Sequence, residues 1–132
     1  FNNEVPKNMI DDNESTRWHI RWNSTGAGST TLPQTLVFKL SATYKISEFE
    51  ILRRSDQYNT DLKGGYFEVS MDNINWTRAA AFDFGTGKST GYVSFYCPTA
   101  VTGKYIKMVI TESNRGTQVS VHELKAHGEL SK

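Results

Sequence analysis

Three histidines, one cysteine and a glycine-rich run are the parts of this 132-residue chain that could carry covalent or acid–base chemistry. Cys97 stands alone, so it forms no intramolecular disulfide and belongs to no zinc or iron–sulfur spacing. Within the run 93–97 (VSFYC) it reads as a small buried apolar residue rather than a thiol nucleophile. His122 and His127 flank the last strand-like segment and read as structural or exposed. The run Gly85-Thr86-Gly87-Lys88-Ser89 ends like a phosphate-binding loop, but it lacks the leading glycine at the spacing such loops need. No G-x-S-x-G elbow is present to aim a serine nucleophile. The carboxylates are scattered, and no motif sets two of them across a glycosidic bond. The expectation is a chain that binds and does not catalyse.

The elements that must position any binding residues are strands. Leu36, Phe38 and Leu40 alternate with Val37 and Lys39, and the segments 44–51, 67–69, 92–96, 105–110 and 119–124 show the same period of two. β-Branched and aromatic residues dominate them. Segments with a helical period are missing; residues 8–16 could hold one helical turn. Asp72-Asn73-Ile74-Asn75 separates two strands, with Asn73 suited to the left-handed conformation of such a turn. Gly64-Gly65, Gly85-Thr86-Gly87, Pro98 and Gly103 mark further breaks, and residues 25–31 (TGAGSTT) read as a surface loop. Seven or eight short strands at these spacings predict an all-β, antiparallel β-sandwich.

Composition bounds the rest. The length suits one domain, residues 1–132. Sixteen aromatics (3 Trp, 6 Tyr, 7 Phe) supply a core despite a hydrophobic content of 37%. Fifteen basic against fourteen acidic residues give a net charge of +1, with no basic run, which argues against nucleic acid as a partner. No apolar run reaches the ~18–20 residues of a membrane helix. The opening FNNEVPKNMIDD has no signal-peptide pattern and reads as a piece excised from a longer, multi-domain protein or as a matured form.

One order of motifs carries a resemblance. An acidic turn leads into Thr16-Arg17-Trp18-His19 and Arg21-Trp22. Then come residues 33–40 (PQTLVFKL), Tyr44-Lys45-Ile46, and 51–54 (ILRR). Phe67-Glu68-Val69-Ser70, Asp72, Asn75-Trp76-Thr77 and Lys104-Tyr105-Ile106-Lys107 follow, and His122-Glu123-Leu124 with Gly128 close the series. The series resembles the coagulation factor 5/8 type C, or discoidin, domain over about residues 4–128. It is similar, more narrowly, to the bacterial family 32 carbohydrate-binding modules. The resemblance implies a jelly-roll-like, galactose-binding-domain-like sandwich. Two turns where the family often has Asp-Gly read Asp11-Asp12 and Asp72-Asn73 here, both tolerant of unusual backbone angles. The paired terminal cysteines of animal relatives are absent, which points to the bacterial branch.

The resemblance implies two sites. A structural calcium ion would be held by the carbonyls of Asn8 and Asn13, by Thr16, and by the carboxylates of Asp11 and Glu123, with Asp12 able to replace Asp11. A hard dication wants 6 to 8 oxygens, and two carboxylates balance its charge. A sugar site would use His19, Trp22 and Arg54, lined by Tyr58 and Asn59, with Asn114 or Arg115 adding a polar contact and Glu4 an extra ligand. A Trp ring packs on the C–H face of a pyranose, while Arg and His direct hydrogen bonds to its hydroxyls. An axial O4 leaves the galactose face open and presents O3 and O4 together. Relatives often carry another aromatic before the last strand, where this chain reads ESNRGTQ (112–118).

The function implied is non-catalytic recognition of galactose or N-acetylgalactosamine on glycans, targeting a tethered glycan-acting catalytic domain, in an extracellular, periplasmic or cell-surface setting. Two alternatives stand beside it. One is a protein-adhesion or spacer domain with a degenerate sugar site. The other is a membrane-surface lipid-binding discoidin domain, against which the polar TGAGSTT loop speaks.

Overall fold

The computed structural model describes residues 18–19, 32–53, 61–114 and 120–131. Seven strands account for most of them: β1 Trp18–His19, β2 Gln34–Leu52, β3 Leu62–Ser70, β4 Thr77–Asp83, β5 Tyr92–Ser113, β6 Ser120–Val121 and β7 Glu123–Leu130. Every pairing is antiparallel. Five strands run in the order β4-β3-β5-β2-β7, and β1 pairs with β6 in a separate two-stranded ribbon.

Two of these strands are not short. Segments 36–40 and 44–51, expected as separate strands, join in the 19-residue β2, and 92–96 joins 105–110 in the 22-residue β5. The joints are bulges. Lys39 faces Tyr105 and Tyr44 faces Gly103, so residues 40–43 bulge out of β2. Glu48 faces Tyr96 and Ile46 faces Val101, so residues 97–100 bulge out of β5. Pro98 sits within that bulge, where no ladder N–H is required of it. The bulges turn the two-strand ribbon back on itself. Its 34–40/105–113 half lies beside β3 and β4; its 44–52/92–103 half lies beside β7. These are the two layers of the predicted β-sandwich.

The layers meet through aromatic side chains from alternate positions. Phe49 of one layer stacks on Phe67 of the other, centroids 4.0 Å apart and rings 4° from parallel. Phe82 extends the contact, 5.3 Å from Phe67 and 6.0 Å from Phe95. Ile46, Ile51, Met108, Ile110 and Leu124 fill the space around them.

Gly64 and Gly65, expected to break the chain, lie inside β3. Their reason is close approach: a Cβ on Gly65 would lie 2.8 Å from the Phe82 ring and strike the Val109 carbonyl oxygen. Gly103 has the same reason at the bend, where a Cβ would lie 2.7 Å from the Ser70 oxygen. The β3–β4 turn forms as expected, with Asn73 at φ 63°. Asp72 Oδ1 accepts from the Ile74 and Asn75 N–H groups at 2.9 and 2.8 Å and from the Ser70 hydroxyl at 2.9 Å. These donors hold the Asp72 carboxyl well below the usual carboxylate range. Cys97, expected to be buried, is only partly so, because it belongs to the 97–100 bulge; it packs at the core margin and burial raises its thiol pKa.

Candidate functional site: the apical end of the sandwich

Because the β2–β5 ribbon doubles back, both ends of each long strand emerge at one end of the sandwich. Leu52, the last residue of β2, faces Tyr92 and Glu123, the first residues of β5 and β7. The His122 N–H donates to the Leu52 carbonyl at 2.8 Å. In the other layer Leu62 faces Ser113, and the Asn114 N–H donates to the Asp61 carbonyl at 3.0 Å. β1 ends at His19, opposite Ser120, the first residue of β6. The strand ends that lead into segments 20–31, 54–60, 84–91 and 115–119 are thus gathered at one apex.

A buried arginine ties this apex together. Arg53 is 2% exposed, and its guanidinium bridges the two layers. Nη1 donates to the Leu62 carbonyl at 3.0 Å, Nη2 to the Gly87 carbonyl at 2.7 Å, and Nε to the Ser89 hydroxyl at 3.0 Å. Its Cζ lies 4.2 Å from the centroid of the Phe84 ring. The five-donor fork of arginine suits this task, since one side chain satisfies three acceptors on two segments. Burial lowers the Arg53 pKa, while its hydrogen-bonded acceptors receive the charge. Asn114 makes a second tie: its amide Nδ2 donates to the Gly85 carbonyl at 2.6 Å. The segment 84–91 is therefore fixed by Arg53, Asn114, and a Phe84 N–H to Lys63 carbonyl bond of 2.7 Å.

Of the expected sugar-site residues, the structure places two at this apex. His19 closes β1, and Asn114 follows β5. Glu4, Trp22, Arg54 and Tyr58 lie outside the described residues. So do Asn8, Asp11, Asn13 and Thr16 of the expected calcium site. Its remaining member, Glu123, is 1% exposed. Its register makes that burial informative. Leu124 and Ile51 point inward, so Glu123 and Leu52 belong to the outward face, yet both are buried. That corner of the outer face is covered. Among the described residues no group of three His, Cys, Asp or Glu side chains could hold a metal ion.

His122 and His127 were expected to be structural or exposed. His122 is buried, and His127 Nε2 is bonded to Glu50 Oε1. Among the described residues, two concavities lie away from the apex. One, of about 320 Å³, is lined at the bend by Leu40, Tyr44, Ile46 and His127. The other, of about 570 Å³, runs between residues 77–81 and residues 98–102, which include part of the β5 bulge. Sequence reasoning missed Arg53. Its acceptors at 62, 87 and 89 are remote in sequence, so no local spacing announces them.

Comparison with known proteins places these observations in a family context. A family model described as F5/8 type C domain matches residues 1–124. A sialidase of Micromonospora viridifaciens is 27% identical over 124 residues, 92% of this chain but 18% of that protein, so the chain spans under a fifth of this relative. The crystal structure of the C-terminal domain of a Bacteroides fragilis chitobiase is 32% identical with a TM-score of 0.83, covering 99% of this chain and 85% of that one. A CBM32 from Clostridium perfringens, in complex with GalNAc-β-1,3-galactose, is 24% identical with a TM-score of 0.79, covering 97% and 86%.

Proposed function

The chain belongs to the F5/8 type C domain family, and we propose that it is a non-catalytic carbohydrate-binding domain whose apex receives a galactose-type sugar, galactose or N-acetylgalactosamine. The observation that carries this reading is the apical convergence itself. His19, the Arg53 clamp that immediately precedes Arg54, and Asn114 all stand where strand ends from both layers meet. Such a rigid rim suits a shallow site built on one platform and a few directed hydrogen bonds. Trp22 is the proposed platform, and Arg54 and His19 the proposed hydroxyl partners, with Tyr58, Asn114 and Glu4 at the margin. The clamp also explains the division of labour between the adjacent arginines: Arg53 is committed to the fold, which leaves the next residue for ligand.

The relatives support a setting as well. The sialidase exceeds this chain several-fold in length, and the B. fragilis structure is one domain of a chitobiase. The domain is proposed to hold a glycan-acting enzyme at its substrate, outside the cytoplasm. One sugar in a shallow site binds near the millimolar range, about −4 kcal/mol. Tethering raises the effective concentration enough for that to matter.

A structural calcium ion is proposed beside this site. Glu123 fits it: an anionic oxygen ligand in a covered corner suits a hard dication. Asn8, Asp11, Asn13 and Thr16 would complete the oxygen set.

Titration with galactose, N-acetylgalactosamine and N-acetylglucosamine, followed by NMR with calcium present, tests the sugar reading. Saturable binding is expected for the first two, and Trp22→Ala, His19→Ala or Arg54→Ala should abolish it while the fold persists. Silence with all three sugars, or retained affinity in Trp22→Ala, overturns the assignment.

A further inference from the structure

We propose that the segment 84–91 is an anion-receiving rim, so that the preferred ligand is a galactose-type sugar bearing an acidic substituent, a sulfate ester or a carboxylate. This rests on the sugar-binding reading above and names the ligand class more narrowly. The argument starts from where two carbonyls point. The Gly85 oxygen is held by Asn114 Nδ2 at 2.6 Å, and the Gly87 oxygen by Arg53 Nη2 at 2.7 Å. Both oxygens are drawn toward the body of the sandwich. In a planar trans peptide the N–H points opposite the carbonyl. The Thr86 and Lys88 N–H groups are therefore turned to the outer side of the segment. Among the described residues neither has a hydrogen-bond partner, and neither does the Lys88 ammonium.

Space and charge agree. Thr86, Gly87 and Lys88 are exposed, and nothing lies within 4 Å of where a Cβ on Gly87 would be. The neighbouring carboxylates are engaged. Asp83 Oδ1 accepts from the Gly85 N–H at 2.8 Å, and Glu112 pairs with Lys63 at 3.1 Å. The next residues in sequence to the two tethers, Arg54 after Arg53 and Arg115 after Asn114, are also cations. Two outward amides and a lysine, pre-set by buried ties, offer charge-assisted hydrogen bonds to an oxyanion. A neutral sugar leaves them to water. The rim is not a nucleotide loop, since the leading glycine of that motif is missing.

The test compares galactose, galactose 6-sulfate, galacturonic acid and inorganic sulfate as ligands of the wild-type protein and of Lys88→Ala, by calorimetry and amide NMR. Lys88 is exposed and has no hydrogen bond, ion pair or ring contact among the described residues, so its truncation should not disturb folding. At least one acidic sugar should bind about tenfold tighter than galactose, the scale of one added charge-assisted hydrogen bond. The Thr86 and Lys88 amides should shift, the advantage should shrink with salt, and Lys88→Ala should remove most of it while leaving galactose affinity unchanged. Preference for the sulfated over the carboxylated sugar, or the reverse, identifies the substituent. Equal affinity for neutral and acidic sugars overturns the rim. Sulfate binding as tightly as sulfated galactose overturns its link to sugar. Failure of every sugar overturns the underlying reading instead.

Discussion

Replacing Arg53 with methionine isolates the apical clamp. The shorter side chain keeps an unbranched apolar stem but loses all five donors. The Leu62 carbonyl is the costly orphan, since its hydrogen bond is buried; leaving it unpaired costs about 1–3 kcal/mol. Gly87 and Ser89 lie on a partly exposed segment and can turn to water, so each loss is about 0.5–1 kcal/mol. Loss of the cation over Phe84 adds about 0.5–1 kcal/mol. Removal of a buried charge refunds part of this, because the guanidinium no longer needs desolvation. The net expectation is about 2–4 kcal/mol. A domain of this size has about 7–15 kcal/mol to lose, so the variant should still fold. Urea unfolding should show an unchanged slope and a lower midpoint, and melting should fall by about 6–16 °C. Arg53→Lys should recover less than half of the loss, since an ammonium cannot span the same three acceptors. The preference for an acidic over a neutral sugar should fall in both variants, because the 84–91 segment loses its anchor. A destabilisation under about 0.5 kcal/mol would refute the clamp.

Four further expectations follow from other parts of the molecule. Phe67→Ala removes the inter-layer stack on Phe49 and should cost about 3–5 kcal/mol, read by denaturant unfolding. Gly103→Ala forces a Cβ against Val69 and the Ser70 carbonyl and should destabilise by at least about 1–3 kcal/mol, seen as a lower melting temperature. The Asp72 carboxyl has a folded pKa below its unfolded value, so its stabilisation is complete above about pH 4 and is lost as pH falls further. Asp72→Ala should therefore melt lower at pH 7 and lose less than wild type between pH 4 and 2. If calcium binds at Glu123, melting should rise with calcium over chelator, and Glu123→Gln should abolish the difference; identical melting in wild type would remove the ion.

Much of the sandwich was legible because its physics is local. Alternation in 36–40 and 105–110 marks one buried face, and Asn73 carries its own permission for positive φ. What local reading cannot see is distance. The sequence around Gly64-Gly65 looks like a turn, but its glycines answer to Val109 and Phe82, far along the chain. Pro98 and Gly103 look like strand ends, yet the ladder resumes beyond each of them. The site divides the same way. His19 came from the family pattern and Asn114, with Arg115 as the alternative, from the place where that pattern lacks its aromatic; the structure puts strand ends at both positions, whereas Arg53 was given no role, because its guanidinium partners lie 9, 34 and 36 residues away. Trp22, Arg54, Tyr58, Glu4 and four of the five calcium donors lie outside the described residues.

The two bulges in the β2–β5 ribbon also confine errors of alignment. A slip of one residue ordinarily turns every side chain of a strand to the wrong face. Here the unpaired stretches 40–43 and 97–100 separate the Phe49–Phe95 half of the ribbon from the Phe38–Ile106 half. A residue inserted between 97 and 100 should lengthen the bulge and leave both halves in phase. The same insertion between Val93 and Phe95 has no slack to consume and should expel Phe95 from the aromatic column. Variation in length is therefore expected to accumulate at the bends of this fold, where the chain can change its count without changing its core.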